Sequence, residues 1–101
     1  MQAHYAAEFS REQGCTEAEW LGWLPGAVRD QAWRLSAPGQ ATVDLPGGPL
    51  TIDWQTLPPR QIALIRMPRM QIHYRFAPAT PEADREAFMR YFDLYMQRGG
   101  G

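Results

Sequence analysis

The sequence predicts an α+β domain: a short N-terminal helix, an antiparallel meander sheet of four or five strands, and a C-terminal amphipathic helix packed on one face. Two periodicities predict it. Between residues 31 and 76, apolar side chains alternate with polar ones, as in half-buried strands. After residue 80 they recur every three or four positions, as in a helix with one apolar face.

The length and the composition agree with one small globular domain. The chain has 101 residues, of which 45% are hydrophobic and 21% charged. We divide it into a polar arm at 1–14, either disordered or weakly helical, a single domain at 15–98, and a glycine tail at 99–101. No stretch has the apolar length of a signal peptide or a membrane span, and the lone Cys15 cannot form an internal disulfide. We therefore expect a cytoplasmic protein.

The first helix has a clear start signal. Thr16 followed by Glu19 is a capping box, which predicts a helix from about residue 17. Trp20, Trp23 and Leu24 then fall on one face of that helix. Pro25 and the glycine after it are expected to end the helix.

Three strands follow, separated by turns at 37–40 and 46–49. The second turn contains Gly47 and Gly48, which suit a tight hairpin. The prolines at 58 and 59 are expected to end the third strand, because they remove two amide donors. Beyond them, Arg66 and Pro68 interrupt a row of apolar residues. The segment 66–69 is therefore either a hairpin loop, which we favour, or a bulge at Pro68 on a sheet edge.

The last helix is predicted from Thr80, which can cap it, and Pro81, which suits its first position. An apolar stripe on it should cover the sheet. Met67, Met70, Met89 and Met96 are interpreted as core-filling residues. The other expected core residues are Trp20, Trp23, Trp33, Leu35, Val43, Ile52, Trp54, Ile62, Leu64, Ile72, Tyr74, Phe88, Tyr91, Phe92 and Tyr95.

Charge is distributed unevenly along the chain. Residues 1–53 carry a net charge of −4, whereas residues 54–81 contain four arginines and no acid. Alternation places one row of this basic segment outward. The candidate binding residues are Arg60, Arg66, Arg69, Gln71, His73 and Arg75. They suit either an acidic protein partner or nucleic acid, unless Asp44 and Asp53 on a neighbouring strand neutralise them as an ordinary solvated face.

Signals for catalysis are weak. Asp44 and Asp53 would face each other across the 46–49 turn, but two outward aspartates on a wet face are the commoner arrangement. The two serines, Ser10 and Ser36, lack the context of a nucleophile elbow. Residues 46–49 are not followed by the helix that a phosphate-binding loop needs. We expect no catalytic residue.

Metal and cofactor signals are also weak. His4, His73 and Cys15 do not have the spacing of a known metal site. We therefore expect neither a metal nor a cofactor.

Two segments carry resemblances. The tail 98–101 resembles the glycine-rich ends of ubiquitin-like and sulfur-carrier proteins, although here a helix precedes it, so we favour a helix stop. The tryptophan-rich first helix, LPPRQIALIRMPRMQIHYRF and FMRYFDLYMQRGGG together resemble small bacterial proteins of unassigned function. The order of elements is similar to the Sm-like barrel, which implies RNA binding, but its RNA-binding motif is missing.

The sequence thus favours a non-enzymatic binding or protein-interaction module of a bacterial cytoplasm. Its expected partner is an acidic protein, and a sheet edge would allow a homo-oligomer. The alternative is a nucleic-acid-binding domain that uses the arginine-rich sheet face. No membrane partner is expected.

Overall fold

The computed structural model describes residues 5–98; His4 and the glycine tail at 99–101 lie outside them. The elements are β1 (Glu8–Gln13), α1 (Glu17–Ala27), β2 (Trp33–Ala37), β3 (Gln40–Leu45), β4 (Gly48–Ile62), β5 (Ile65–Phe76) and α2 (Glu82–Arg98). The strands form one antiparallel sheet in the order β1-β5-β4-β3-β2. The predicted α+β class, with a helix toward each end of the chain, is confirmed.

Helix α1 begins as predicted and ends later. The Thr16 hydroxyl accepts from the Glu19 amide at 3.1 Å, and the Glu19 carboxylate accepts from the Thr16 amide at 2.9 Å. The helix continues through Pro25 to Ala27. Gly26 lies against the ring of Tyr95, and a Cβ there would come within 2.1 Å of the Tyr95 hydroxyl. This glycine therefore lets α1 and α2 pack closely, and it is not a stop signal.

Strand β1 lies where the sequence predicted a polar arm. Residues 8–13 pair with β5 in the register from Glu8 opposite Arg75 to Gln13 opposite Met70. The strand escaped prediction because Arg11 occupies one of its inward positions. Its guanidinium binds the carboxylate of Asp93 on α2. A charged residue on the inner face hides the alternation that marks a strand.

The core lies between the sheet and the two helices. Trp20 packs on Trp54 with ring centroids 5.7 Å apart, and Tyr74 meets Phe92 edge to face at 5.8 Å. Seven of the fifteen expected core residues are buried, and Met70, Met89 and Met96 join them. The half-buried members are Trp23, Trp33, Phe88, Tyr91 and Tyr95. The wrong assignments, which are all exposed, are Leu35, Ile62, Leu64 and Met67.

Strands β4 and β5 continue past their neighbours and form a two-stranded arm, residues 57–69. Strand β3 pairs with β4 only as far as Asp53, and β1 pairs with β5 only as far as Met70. Beyond these points the two long strands pair with each other alone, and they turn at 63–64. The molecule is accordingly elongated, at 46 × 29 × 20 Å. The predicted strand end at 57–59 and the predicted loop at 66–69 are both wrong.

A bulge in β4 explains these errors. Leu57 is opposite Arg69 and Arg60 is opposite Met67, so β4 uses one more residue than β5 between the two pairs. The extra residue falls at Pro58-Pro59, where missing amide donors disturb the ladder. The alternative prediction, a bulge at Pro68, had the right feature on the wrong strand.

Candidate functional site

The sheet face opposite the helices is open, and four of the six predicted site residues lie on it. Met70, Ile72 and Tyr74 of β5 are buried beneath the helices. Arg69, Gln71, His73 and Arg75 alternate with them and line the other face. The remaining two, Arg60 and Arg66, lie on the arm. The structure therefore divides the predicted site between a sheet face and a projecting ribbon.

Acidic residues of β1 partly neutralise the sheet face. Arg69 donates from Nη1 to Glu12 Oε1 at 2.5 Å, and His73 Nε2 lies 2.7 Å from Glu8 Oε2. Neutralisation was expected from Asp44 and Asp53 on a neighbouring strand, and Asp53 of β4 does lie opposite His73. The ion pairs themselves come from residues 8–13, the segment predicted to be a polar arm outside the domain.

Asp44 and Asp53 do not form a pair of carboxylates. Asp44 is opposite Pro49, and Asp53 is opposite Gln40, whose amide donates to it at 2.8 Å. The hairpin register thus separates the two acids that the turn spacing had brought together. Because the turn uses only residues 46 and 47, Asp44 lies opposite a residue four positions away from Asp53 along β4, and the expected pairing across the turn is wrong.

A chain of hydrogen bonds crosses the open face at His73. Its Nδ1 lies 2.5 Å from the hydroxyl of Ser10, while its other nitrogen meets Glu8. A shallow cavity of about 280 Å³ adjoins it. The arrangement holds His73 in place through two side chains of β1.

Metal-ligating residues are dispersed. Within residues 5–98, no group of three or more histidine, cysteine, aspartate or glutamate side chains lies close enough to hold a metal ion. Cys15 is buried, and His73 is engaged by Ser10 and Glu8.

The arm carries an exposed aliphatic cluster. The exposed fractions are 54% for Ile62, 98% for Leu64, 63% for Ile65 and 47% for Met67. Every residue from 58 to 68 is exposed. Scattered apolar residues on a surface are ordinary, but four on one short ribbon form a patch of the kind that marks an interaction site. Sequence reasoning missed this cluster because alternation assigned Ile62 and Leu64 to the core.

The two faces of the arm differ in chemistry. Cross-strand partners share a face, so Ile62 with Ile65 and Arg60 with Met67 form one side. Gln61 and Arg66 are directly opposite each other on the other side. Because β5 runs without interruption, Ile65 and Met67 continue the face that carries Arg69 and His73. The aliphatic side of the arm is therefore an extension of the open sheet face.

The arm's own arginines differ from those of the sheet. In the described part of the chain, no acidic side chain forms an ion pair with Arg60 or Arg66. The positive charge of these two arginines is thus uncompensated within the described residues, whereas Arg69 and His73 already have carboxylates. The free positive charge lies beside the aliphatic cluster.

The prolines of the arm limit how it makes contact. Pro58, Pro59 and Pro68 have no amide hydrogen, so the exposed edges of the ribbon cannot present a full row of donors to another strand. An added strand is disfavoured there. The arm therefore offers its surroundings mainly side chains.

A small cavity lies where the arm leaves the sheet. Its volume is about 130 Å³, and its lining is Glu12, Gln13, Gly14, Arg60, Met67, Pro68 and Arg69. Arg69 is fixed at its edge, because Nε donates to the Pro58 carbonyl at 3.0 Å while Nη1 holds Glu12. The cavity thus combines a fixed arginine, an uncompensated one and two apolar walls.

A polar cluster holds β1 to α2 on the opposite side of the sheet. The Tyr5 hydroxyl donates to Asp93 at 2.5 Å, and Arg11 binds the same carboxylate from β1. Burial, followed by the hydrogen bond to Asp93, raises the pKa of Tyr5 to about 12. Because every member is partnered within the fold, we assign this cluster a structural role.

Comparisons with known proteins give no family. No protein-family model matches the chain, and no curated protein matches it. None of the helices described in residues 5–98 has the length and apolar character needed to cross a membrane.

Proposed function

We propose that this protein is a non-enzymatic interaction module that contacts a partner protein through its arm. The observation that carries the proposal is the aliphatic cluster at the end of a ribbon that adds nothing to the core. Four exposed aliphatic side chains cost solubility in a free protein. Covering them with a partner would offset that cost, which gives the arm a function that the fold alone does not.

The charge of the arm favours an acidic partner. Arg60 and Arg66 lie within a few residues of Ile62 and Ile65, and no acid of the described chain compensates them. A fitting surface would offer an apolar cleft with carboxylates at its rim. Two copies meeting arm to arm would instead bring uncompensated arginines together. Self-association, if used, is therefore better served by the free edges of β1 and β2.

Nucleic acid is the second candidate, favoured by the opposed pair Gln61 and Arg66. These residue types read adenine and guanine edges, and a two-stranded ribbon fits a major groove. The sheet itself supports this candidate less well. Its aromatic residues face the core and its arginine row lies beside Glu8 and Glu12.

A capture experiment with matched variants tests the proposal. The immobilised protein is incubated with extract from its own source cells, and retained proteins are quantified by mass spectrometry. Leu64→Ser should remove the specific partner, because Leu64 is the most exposed member of the cluster. Leu35→Ser is the control, since Leu35 is 56% exposed but lies on β2 at the far edge of the sheet.

Two results would count against the proposal. If Leu64→Ser and Leu35→Ser retain the same proteins as the unmodified chain, the arm is not the contact element. If nuclease treatment of the extract abolishes retention, the contact is with nucleic acid, and the second candidate replaces the first.

A further inference from the structure

We infer that the cavity at the base of the arm binds a side-chain carboxylate of an acidic segment in the partner protein. The inference rests on the proposed function and adds to it the anchoring chemistry. The cavity is defined by Arg60, Arg69, Met67, Pro68 and Glu12.

The bulge in β4 creates this site. Before the bulge, Leu57 is opposite Arg69; after it, Arg60 is opposite Met67. In an unbulged strand, Leu57 would share its face with residues 59 and 61. The extra residue turns Arg60 instead to the face that already carries Met67 and Arg69. Two arginines from different strands are thereby brought to one cavity.

Arg69 is already arranged for a carboxylate. The Pro58 carbonyl holds its Nε, and Glu12 takes Nη1, so the guanidinium plane is fixed before any partner arrives. A guanidinium carries five N–H donors, and these two bonds leave donors for a second acceptor. A preorganised arginine loses little entropy on binding, which favours affinity.

Arg60 supplies the charge that is still uncompensated. It is exposed, and none of the ion pairs in residues 5–98 involves it. Met67 and Pro68 line the same cavity and exclude part of the surrounding water. A charge-assisted hydrogen bond gains strength in such surroundings.

Glu12 makes the cavity bind some kinds of anion more weakly than others. Its carboxylate stays at the cavity edge and repels a second negative charge, and a doubly charged phosphate monoester is repelled more than a singly charged carboxylate. A volume of about 130 Å³ also suits a small group. The extended phosphate backbone of a nucleic acid would in addition meet Glu8 on the same strand. The cavity therefore favours a protein carboxylate.

The test uses a fluorescein-labelled twelve-residue peptide of alternating leucine and glutamate, with binding followed by fluorescence anisotropy. Arg60→Ala should weaken binding about tenfold or more, because it removes charge-assisted bonds. Glu12→Gln should tighten binding severalfold, because it removes the competing negative charge but keeps an amide oxygen that can accept from Arg69. Arg34→Ala is the control, since Arg34 is an exposed arginine on β2 at the other edge.

Several results would overturn the inference. The glutamate peptide would fail to bind at millimolar concentration, or a leucine–glutamine peptide would bind with the same affinity. Equal losses of peptide affinity in Arg60→Ala and Arg34→Ala would also contradict it. Tighter binding of a twelve-base-pair DNA duplex than of the peptide, lost in Arg60→Ala, would also overturn it. If the inference fails while Leu64→Ser still abolishes capture, the proposed function stands without this anchor.

Discussion

Gly47 and Gly22 show how differently two glycines serve the same chain. Gly47 forms the β3–β4 turn with φ +86°, and a Cβ there would lie 2.4 Å from the carbonyl oxygen of Ala79. Gly22 lies in α1, where a Cβ would have no neighbour within 4 Å. The first is required by the backbone, whereas the second only weakens its helix.

Gly47→Ala should therefore destabilise the fold by roughly 2–4 kcal/mol, from the left-handed backbone and the backbone clash together. Gly22→Ala should stabilise it by up to about 1 kcal/mol, because alanine favours helix. Urea unfolding of both variants measures the two effects. Equal stability of Gly47→Ala and the unmodified chain would contradict the described turn.

Single residues were predictable where one local rule decides the conformation. The capping pair Thr16 and Glu19, and the turn glycine Gly47, are set by neighbours in sequence. Arg11 was not predictable, because its inward position depends on Asp93, which lies 82 residues away. No local sequence pattern indicates that a charged side chain will form an ion pair with a residue distant in the sequence.

At the scale of elements, β1 is held at both ends by buried residues. Tyr5 precedes the strand and Cys15 follows it, and both are fully buried. Burial, followed by the negative charge of Glu19, raises the pKa of the Cys15 thiol from its ordinary 9.0 to about 11. Both residues are therefore kept neutral in the folded state at a pH where the unfolded chain ionises.

Stability should accordingly be independent of these two groups below pH 9 and should fall above it. Cys15 causes the first loss of folding free energy, as the pH rises from 9.0 toward about 11. Tyr5 causes the next loss, as the pH rises from 10.0 toward about 12. Thermal unfolding between about pH 8 and 9.5 measures the first step. In Cys15→Ala the thermal midpoint should fall less over this pH range. An unchanged pH dependence of the midpoint in that variant would exclude the thiol as the cause of the fall.

The arm shows that alternation of apolar and polar residues predicts burial only where a strand packs against a core. Even-numbered residues of β5 face the helices from Met70 to Phe76, and the same parity continues outward through Pro68 and Arg66. Arg66 interrupted the apolar row because no core lies beneath it. Likewise the bulge reversed the parity of Ile62, and nothing near the double proline showed on which strand the irregularity would fall.

At the scale of the whole molecule, the chain has a packed body and a projecting arm. The body was largely predictable, because alternation and helical periodicity both report burial against one core. The site was predictable only in part: the basic row on β5 was identified, but its neutralisation by Glu8 and Glu12 and the aliphatic cluster were not. The neutralisation and the exposure of the cluster both depend on how far each strand extends beyond the strands beside it. That extent is a property of the assembled sheet.

The arm itself can be removed to test its role. Leu57 and Arg69 are directly opposed, so a two-residue Asn-Gly turn can join them in place of residues 58–68. The shortened chain keeps every described strand pairing outside the arm. We expect it to fold with a thermal midpoint within about 4 °C of the full chain, because the deleted residues are all exposed.

Partner capture by this shortened chain measures directly whether the arm is the contact element. We predict that the folded, armless protein no longer retains the partner that the full chain captures from the same extract. Retention of that partner at the level of the full chain would contradict the claim that the arm is the contact element. Loss of folding would contradict the claim that the arm lies outside the core.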